Sequence, residues 1–271
     1  PRTAGPGARL DVELVRRGLA RSRGQARELL AAGRVRVADA IVDKPATIVH
    51  PDEDVALDGE VDPWVGRAAY KLLAALEAWL PRGLEVTGTR CLDVGASTGG
   101  FTQVLLERGA AHVVALDVGH DQLAPTVRDD PRVTERSGTS IREVTAADLG
   151  GPFHVIVADL SFISLRLVLP TITGLLGPSG QVVVLVKPQF EVGRERLGKG
   201  GVVRSVADRR GAVEGVVTAA MAAGLHPREL LPSPLPGESG NREYLVWMTA
   251  RSAPPTAQDL ERVMAQMESR P

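Results

Sequence analysis

The sequence has few of the residues that mark several protein classes. Its single cysteine, Cys91, excludes a disulfide framework and fits a reducing cytoplasm. The five histidines are scattered and have no cysteine partners at ligand spacing, so no metal site is expected. No apolar run approaches the roughly 18 residues of a membrane span, and the opening PRTAGPGARL lacks the apolar segment of a signal peptide. The sequence therefore predicts a soluble cytoplasmic protein with no membrane or metal partner.

Charged residues are nearly balanced over the 271 residues, with a net charge of −1, but they are unevenly distributed. Residues 1–44 hold ten basic and five acidic side chains, a net charge of +5, and the remainder carries −6. A small basic unit beside a larger, mildly acidic one is typical of a nucleic-acid-binding module attached to a catalytic domain.

The basic unit, predicted to span residues 1–60, is expected to fold as two short helices and a strand pair. Apolar residues recur at helical spacing from Leu10, and RVRV alternates as in a half-buried strand. Arg23 and Arg27 lie four residues apart and share a helix face. Such arginines either solvate an exposed face or contact RNA phosphates. The candidate RNA-binding residues are Arg9, Arg16, Arg21, Arg23, Arg27 and Arg36.

The rest of the chain is predicted to begin with an interdomain linker at residues 61–67 and to form one domain over residues 68–271. Continuous Val, Ile and Leu strands alternate with helices, which indicates a parallel sheet covered on both faces. The last strand, EYLVWMTA, either continues the parallel direction or runs antiparallel. The predicted fold class is α/β, a Rossmann-like sheet with a small N-terminal α+β domain.

A glycine-rich loop, in LDVGASTGGFT, follows the first strand of this sheet. Glycine lets backbone N–H groups approach a ligand closely, and such strand-to-helix loops bind nucleotides. The pattern G-x-x-x-G-G is related to the dinucleotide fingerprint G-x-G-x-x-G but does not match it. Asp117 lies 22 residues after Gly95, at the end of the second strand, where an acid typically holds ribose hydroxyls.

Four further charged residues are expected at the same edge of the sheet. Asp159 and Lys187 each end a strand, Lys71 comes from the helix before the first strand, and Glu243 precedes the last strand. Ligands of such sheets bind outside the carboxyl ends of the strands. Simpler alternatives exist, since Asp159 would serve as a helix N-cap and Lys187 as a surface lysine. Their joint placement beside the glycine loop favours a shared catalytic crevice.

Two resemblances to known families extend these predictions. The segment RLDVELVRRGLARSRGQARELLAAGRVRV, followed by VDKP, resembles an S4 domain, a unit that grips structured RNA by shape and phosphate. The loop DVGASTGGFT resembles the S-adenosyl-L-methionine loop of FtsJ-like ribose methyltransferases, which use a Lys-Asp-Lys-Glu tetrad. With ADLSFISL, LVKPQFEVGRE, KGGVVR and SPLPGESGNREY, nearly the whole chain is similar to the TlyA family of rRNA 2′-O-methyltransferases.

This resemblance implies a role for each residue at a matching position. Lys187 is the implied base, Lys71 its cationic neighbour and hydroxyl orienter, and Asp159 and Glu243 hold the two lysines. A lysine accepts a proton only as the neutral amine, a form that burial and a nearby cation favour. The implied cofactor-binding residues are Asp93, Gly95, Ser97, Gly99, Gly100, Phe101, Asp117 and Val118.

The resemblance also implies the substrate. The expected partner is ribosomal RNA of the large subunit, with a cytidine in helix 69 of 23S rRNA as the target. Longer members also modify helix 44 of 16S rRNA in the small subunit, and the predicted C-terminal helix in TAQDLERVMAQMES indicates that type. In this family the modification affects susceptibility to capreomycin- and viomycin-type antibiotics.

Two departures from the family pattern and two rival functions stay open. VGRAAYKL lacks the usual serine and glycine pair before Lys71, and ERSGTSIR, from Glu135 to Arg142, replaces the usual stretch beside the adenine. A nicotinamide-dependent oxidoreductase would use Asp117 but has no use for a basic N-terminal unit. A non-enzymatic RNA-binding ribosome assembly factor would not need catalytic residues in the crevice, whereas all four tetrad residues are present.

Overall fold

The computed structural model describes residues 6–20, 23–59, 62–237, 239–251 and 254–267. The chain separates into two compact units, Pro1–Pro63 and Trp64–Pro271. Residues 64–67, part of the predicted linker, belong to the larger unit. Within it, the backbone N–H of Val65 donates to the side chain of Gln103 at 2.8 Å.

The smaller unit combines two helices with short strands. β1 (Ala8–Arg9) leads into α1 (Leu10–Arg16), and α2 (Arg23–Ala31) is followed by β2 (Val35–Val37), β3 (Ala40–Ile41), β4 (Ile48–Val49) and β5 (Val55–Leu57). β3, β2 and β5 form an antiparallel sheet, and β1 pairs with β4. Leu10, Leu14 and Leu30 are fully buried between these elements. The predicted helix pair and strand pair are confirmed.

The larger unit is a seven-stranded sheet with helices between its strands. Its elements are α3 (Ala69–Trp79), β6 (Arg90–Val94), α4 (Gly100–Glu107), β7 (His112–Leu116), α5 (Pro125–Arg128), β8 (Val133–Arg136), β9 (Phe153–Ala158), α6 (Leu169–Gly174), β10 (Leu176–Val186), α7 (Val206–Ala222), β11 (Leu225–Pro232), β12 (Tyr244–Ala250) and α8 (Ala257–Ala265). The strand order is β11-β12-β10-β9-β6-β7-β8. β12 runs antiparallel to both of its neighbours, β10 and β11, whereas β10, β9, β6, β7 and β8 pair in parallel, so the α/β prediction is confirmed.

Alternating residues of the central strands feed two separate apolar layers. In β6, Cys91 packs with α3 and α4 on one face, whereas Leu92 packs with α6 and α7 on the other. Val155 and Ile156 of β9 divide in the same way. Both faces of these strands are therefore buried, which explains why their sequences are continuously apolar rather than alternating.

The structure of this unit differs from the sequence-based prediction at three elements. The sequence predicts a helix around Leu165–Leu176, which is wrong at its end, because α6 stops at Gly174 and Leu176 opens β10. β8 and β11 are absent from the sequence-based prediction. β8 is a short edge strand with the polar sequence VTER, and the edge strand β11 contains two prolines, which are depleted in central strands. The predicted C-terminal helix is confirmed as α8, which opens with a capping box between Thr256 and Asp259.

Candidate active site

The predicted crevice residues lie at one edge of the sheet. β6, β7, β9 and β10 are parallel, so their carboxyl ends meet there. Four predicted residues follow these strands directly: Gly95, Asp117, Asp159 and Lys187. Glu243 comes just before β12, whose Tyr244 pairs with Val186 of β10. The antiparallel direction of β12 therefore brings Glu243 to the same edge.

Backbone geometry requires glycine in the loop after β6. Gly95 has a φ of +83°, and a Cβ atom there would lie 2.5 Å from the carbonyl oxygen of Asp159. The loop thus lies directly against the backbone of Asp159. Gly99 has a φ of +95°, and a Cβ atom on it would come within 2.9 Å of Val127 Cγ1. Gly99 is therefore required by its packing against α5.

The start of α3 packs on the same loop and so fixes the place of Lys71. A Cβ atom on Gly100 would lie 3.1 Å from the backbone nitrogen of Ala69, and one on Gly66 would lie 2.7 Å from Thr98 Oγ1. α3 begins at Ala69, so Lys71 lies in its first turn. The glycine loop therefore has the Asp159 segment on one side and the Lys71 helix on the other.

Asp117 is oriented by two backbone donors. Its Oδ2 accepts a hydrogen bond from the N–H of Ser97 and its Oδ1 one from the N–H of Gly119, each at 2.8 Å. Ser97 has a φ of +47°, a conformation that is costly for a residue other than glycine. The N–H of Thr139 donates to the carbonyl of Asp117 at 2.9 Å, so the Glu135–Arg142 stretch runs beside this carboxylate.

Asp93 is fully buried at the end of β6. Its Oδ2 accepts a hydrogen bond from Thr102 Oγ1 at 2.7 Å, whereas its buried Oδ1 has no hydrogen-bond partner among the described residues. Burial raises the pKa of Asp93 to about 7. The negative charges of Asp159 and Asp117 also raise this pKa, whereas the hydrogen bond from Thr102 lowers it. A buried carboxylate oxygen without a partner suits a donor or cationic group of a ligand.

The tetrad residues form two ion pairs. Lys71 Nζ lies 2.6 Å from Glu243 Oε2, and both side chains are buried. Lys187 Nζ lies 2.7 Å from Asp159 Oδ1 and donates a hydrogen bond to Ser161 Oγ at 2.8 Å. Each predicted lysine is therefore held by one predicted carboxylate.

Asn241 fixes the loop that carries Glu243, a role that the sequence did not reveal. The buried Asn241 side chain accepts a hydrogen bond from the N–H of Val203 and donates one to the carbonyl of Gly201, each at 2.9 Å. Its own carbonyl accepts the N–H of Gly237, and a Cβ atom on Gly237 would overlap the Glu243 carboxylate. Its only sequence signal is its place in the motif SPLPGESGNREY.

Two phenylalanines lie beside the Lys187–Asp159 pair, and the sequence reasoning missed both. Phe162 follows Ser161 and is 91% exposed, and its backbone has a left-handed φ of +64°. Its ring centroid lies 5.3 Å from that of Phe190, in the turn after Lys187. An exposed, strained aromatic residue in a chain with 3% aromatics indicates a surface kept for a ligand.

Two predicted cofactor residues differ sharply in exposure. Val118 is 70% exposed, next to Asp117, and offers an open apolar surface. Phe101 is 2% exposed and packs in the apolar layer under α3 and α4. The Phe101 side chain therefore contributes to the core, and the cofactor-binding role of this residue stays a prediction.

The predicted RNA-binding arginines of the smaller unit are paired with acids, which the sequence reasoning did not anticipate. Arg9, Arg23 and Arg27 surround Asp11. Arg16 pairs with Glu13, and Arg36 contacts Asp58 and the carbonyl of Asp39. The sixth candidate, Arg21, lies outside the described residues.

No group of three or more His, Cys, Asp or Glu residues in the described ranges could hold a metal ion.

Known proteins match this chain along nearly its whole length. Residues 64–250 match the FtsJ-like methyltransferase family, and residues 8–55 match the S4 domain. The chain is 51% identical over 247 residues to the 16S/23S rRNA (cytidine-2′-O)-methyltransferase TlyA of Mycobacterium tuberculosis, covering 90% of this chain and 91% of that protein. This chain belongs to the TlyA family. The resemblance drawn from the sequence motifs is confirmed.

Other TlyA-family matches agree in sequence and in fold. The 23S rRNA (cytidine-2′-O)-methyltransferase TlyA of Campylobacter jejuni is 34% identical over 196 residues, covering 72% of this chain and 74% of that protein. A solved structure from Streptococcus thermophilus that carries the name hemolysin has a TM-score of 0.75 and 36% identity, covering 98% of this chain and 97% of that one. Among the described residues of this TlyA-family chain, no helix is long and apolar enough to cross a membrane.

Asp93 should make the free energy of unfolding of the larger unit fall as the pH rises from about 4 to about 7. Its carboxyl has a pKa of about 7 when folded, whereas an unfolded aspartate has a pKa of about 3.9. Between these values the folded chain holds the proton and the unfolded chain releases it, so rising pH favours unfolding. Asp93→Asn should flatten this dependence.

Urea unfolding followed by tryptophan fluorescence measures the effect, since Trp64, Trp79 and Trp247 all lie in the larger unit. Glu214→Gln, which removes one negative charge from the exposed face of α7, is the matched control and should leave the slope close to that of the wild type. Equal slopes for wild type and Asp93→Asn would contradict the assignment to Asp93.

Proposed function

We propose that this protein transfers a methyl group from S-adenosylmethionine to the 2′-oxygen of a cytidine in ribosomal RNA. The observation that carries the proposal is the pair of lysine–carboxylate contacts at the sheet edge, Lys71 with Glu243 and Lys187 with Asp159, beside a glycine loop that fits a nucleoside. Two TlyA relatives are named as rRNA (cytidine-2′-O)-methyltransferases, which supports the proposal.

The residues around the glycine loop fit S-adenosylmethionine. The unpartnered Oδ1 of buried Asp93 suits the cationic amino group of the methionine part. Asp117 would hold the ribose hydroxyls, exposed Val118 would contact the adenine, and the Glu135–Arg142 stretch would border it. When bound, the cofactor supplies a methyl group on a positively charged sulfur.

Lys187 is placed to take the proton of the target hydroxyl. A neutral amine has two hydrogens and one lone pair, and Lys187 Nζ has two acceptors nearby, Asp159 Oδ1 at 2.7 Å and Ser161 Oγ at 2.8 Å. Ser161 Oγ accepts one of the amine hydrogens, and Asp159 Oδ1 contacts Nζ as an ion pair without a hydrogen bond. The lone pair is left for the substrate. Lys187 Nζ would take the proton of the 2′-hydroxyl as that oxygen accepts the methyl group, whose bond to sulfur breaks with the electron pair left on the sulfur. Asp159 would stabilise the resulting ammonium. Lys71, fixed by Glu243, orients the hydroxyl.

The basic unit would bind the phosphates of the rRNA. We infer a target in helix 69 of 23S rRNA on the large subunit, and one in helix 44 of 16S rRNA on the small subunit. The name of the Mycobacterium tuberculosis relative, which includes both rRNAs, supports two substrates, and so does the presence of α8. Methylation in the cytoplasm at these sites would change susceptibility to capreomycin- and viomycin-type antibiotics.

Methyl transfer to purified ribosomal subunits tests the function directly. With S-adenosylmethionine labelled in its methyl group, we expect label at a cytidine 2′-oxygen in rRNA of the large subunit and of the small subunit. Mapping the modified nucleotides by primer extension identifies the helices. Binding to subunits without transfer would favour an assembly factor, and binding of NAD in place of S-adenosylmethionine would favour an oxidoreductase.

Lys187→Ala and Lys187→Arg should both abolish methyl transfer and leave cofactor affinity nearly unchanged. A guanidinium keeps the positive charge but stays protonated at working pH, so arginine cannot replace a base. The wild-type single-turnover rate should rise with pH as general-base catalysis requires. Lys199→Ala, at an exposed lysine of the following loop, serves as the matched control and should keep the rate at saturating RNA. A flat pH profile together with an active Lys187→Arg enzyme would show that the lysine only positions the RNA.

Phe162→Ala should weaken methyl transfer, because the exposed ring beside Lys187 is placed to stack on an RNA base. Stacking of a base on an aromatic side chain contributes about 1–3 kcal/mol, so the loss in kcat/KM should be about five- to hundredfold. Phe162→Trp should retain most activity. Leu167→Ala, at another strongly exposed apolar residue, is the control. If Phe162→Ala and Leu167→Ala have equal effects, the stacking role is wrong.

A further inference from the structure

One buried carboxylate in the smaller unit binds three arginines, one from β1 and two from α2. Asp11, in the first turn of α1, has no exposed side-chain surface. Arg9 lies before α1, and its Nε donates to Asp11 Oδ1 at 3.0 Å. From α2, Arg23 donates to Asp11 Oδ2 through Nη2 at 2.8 Å, and Arg27 Nε lies 3.6 Å from the same oxygen. The cluster combines three positive charges with one negative charge.

The arginines keep much of their binding capacity in this arrangement. The side chains of Arg9, Arg23 and Arg27 are 45%, 52% and 57% exposed, respectively. Arg9 and Arg23 each direct Nε and one terminal nitrogen at Asp11. A guanidinium has five N–H donors, so further donors on each remain for a phosphate. The Asp11 carboxylate thus binds one edge of the Arg9 and Arg23 guanidinium groups, and both side chains stay about half exposed to solvent.

The residue that follows α1, Arg17, shows what a purely structural arginine looks like in the same unit. Arg17 is 18% exposed and donates to Glu13 and to the carbonyls of His50 and Glu53. The hydrogen bonds of its guanidinium group join the end of α1 to the turn after β4. The Asp11 arginines differ, since their hydrogen bonds and ion pairs within the described part of the chain go to one carboxylate and not to the backbone of a distant segment.

Stability alone is a weak reason for this cluster. A buried ion pair gives little net stabilisation over a well-packed apolar replacement, because desolvation of the charges offsets their attraction. Fixing long side chains before binding, by contrast, reduces the ordering cost that binding would otherwise carry. Hydrogen bonds from Arg9 and Arg23 hold the pKa of Asp11 well below its usual range, so its charge stays constant near neutral pH.

We propose that Asp11 is a positioning residue for RNA binding, which holds Arg9, Arg23 and Arg27 as one preformed phosphate-binding cluster. The inference rests on the proposed binding of rRNA by the smaller unit. This positioning role and simple electrostatics predict opposite changes in RNA affinity when the Asp11 charge is removed. Removal of a negative charge from an RNA-binding surface should tighten binding, whereas loss of the residue that orders the arginines should weaken it.

Asp11→Asn in the full-length chain should raise the Kd for purified large ribosomal subunits about tenfold. The slope of log Kd against log salt should fall by about one, since about one phosphate contact is lost. The single-turnover rate at saturating subunit should stay at the wild-type value, because the larger unit is unchanged. Asp43→Asn removes the same charge from an exposed site of the same unit and should leave Kd unchanged or lower.

Two further variants separate positioning from folding. Leu30→Ala destabilises the core of the smaller unit without touching the cluster, and circular dichroism melting gives the stability loss of each variant. Asp11→Asn should weaken binding more than Leu30→Ala at equal stability loss. Combined with Arg23→Ala, Asp11→Asn should add less than its own single effect, since both act through one cluster.

Three results would overturn the proposal: Asp11→Asn binding as tightly as wild type, full additivity with Arg23→Ala, or a loss no greater than that of an equally destabilised Leu30→Ala. If wild type itself fails to bind subunits while Asp43→Asn and Asp11→Asn behave identically, the proposed function fails and this inference falls with it.

Discussion

The parallel pairing of β6 with β9 is the constraint on which the rest of the site depends. Val94 and Ala158, the last residues of the two strands, are partners in this register, so both strands end at the same edge of the sheet. Gly95 then lies against the Asp159 carbonyl with no space for a side chain. The loop that would hold the cofactor and the carboxylate that holds Lys187 are thus fixed to each other through backbone, and flexible side chains have no part in setting their distance.

Both units use a carboxylate to hold basic side chains. In the larger unit, Asp159 and Glu243 each hold one lysine, and in the smaller unit Asp11 holds three arginines. The clusters differ in burial: the Lys71 pair is nearly closed to solvent, while the arginines are about half exposed. A closed pair suits a group that acts at one atom of a substrate, and an open cluster suits the extended, repetitive charge of a phosphate backbone.

Much of this site could be predicted from the sequence, because strand ends are visible as apolar runs that stop at a charged residue. Asp117, Asp159 and Lys187 were found in this way, and Glu243 required only the antiparallel direction of β12. Pairing within the site could not be predicted, since distances between strands depend on register. The burial of the Phe101 side chain could not be predicted either, because a residue next to the glycines can face either the ligand or the core. Phe162 was missed because its exposure follows from a left-handed backbone that no periodicity encodes.

The Lys71–Glu243 pair joins residues 172 positions apart in the chain. During synthesis the lysine is made well before its carboxylate, which directly precedes β12, the strand that enters the sheet between β10 and β11. A nascent chain that has not reached β12 has an open sheet edge at β10 and a lysine without its counter-charge. The smaller unit, in contrast, has all its strands within the first 57 residues. The growing polypeptide therefore makes the strands of its basic unit before the buried ion pair of the active site has both of its members.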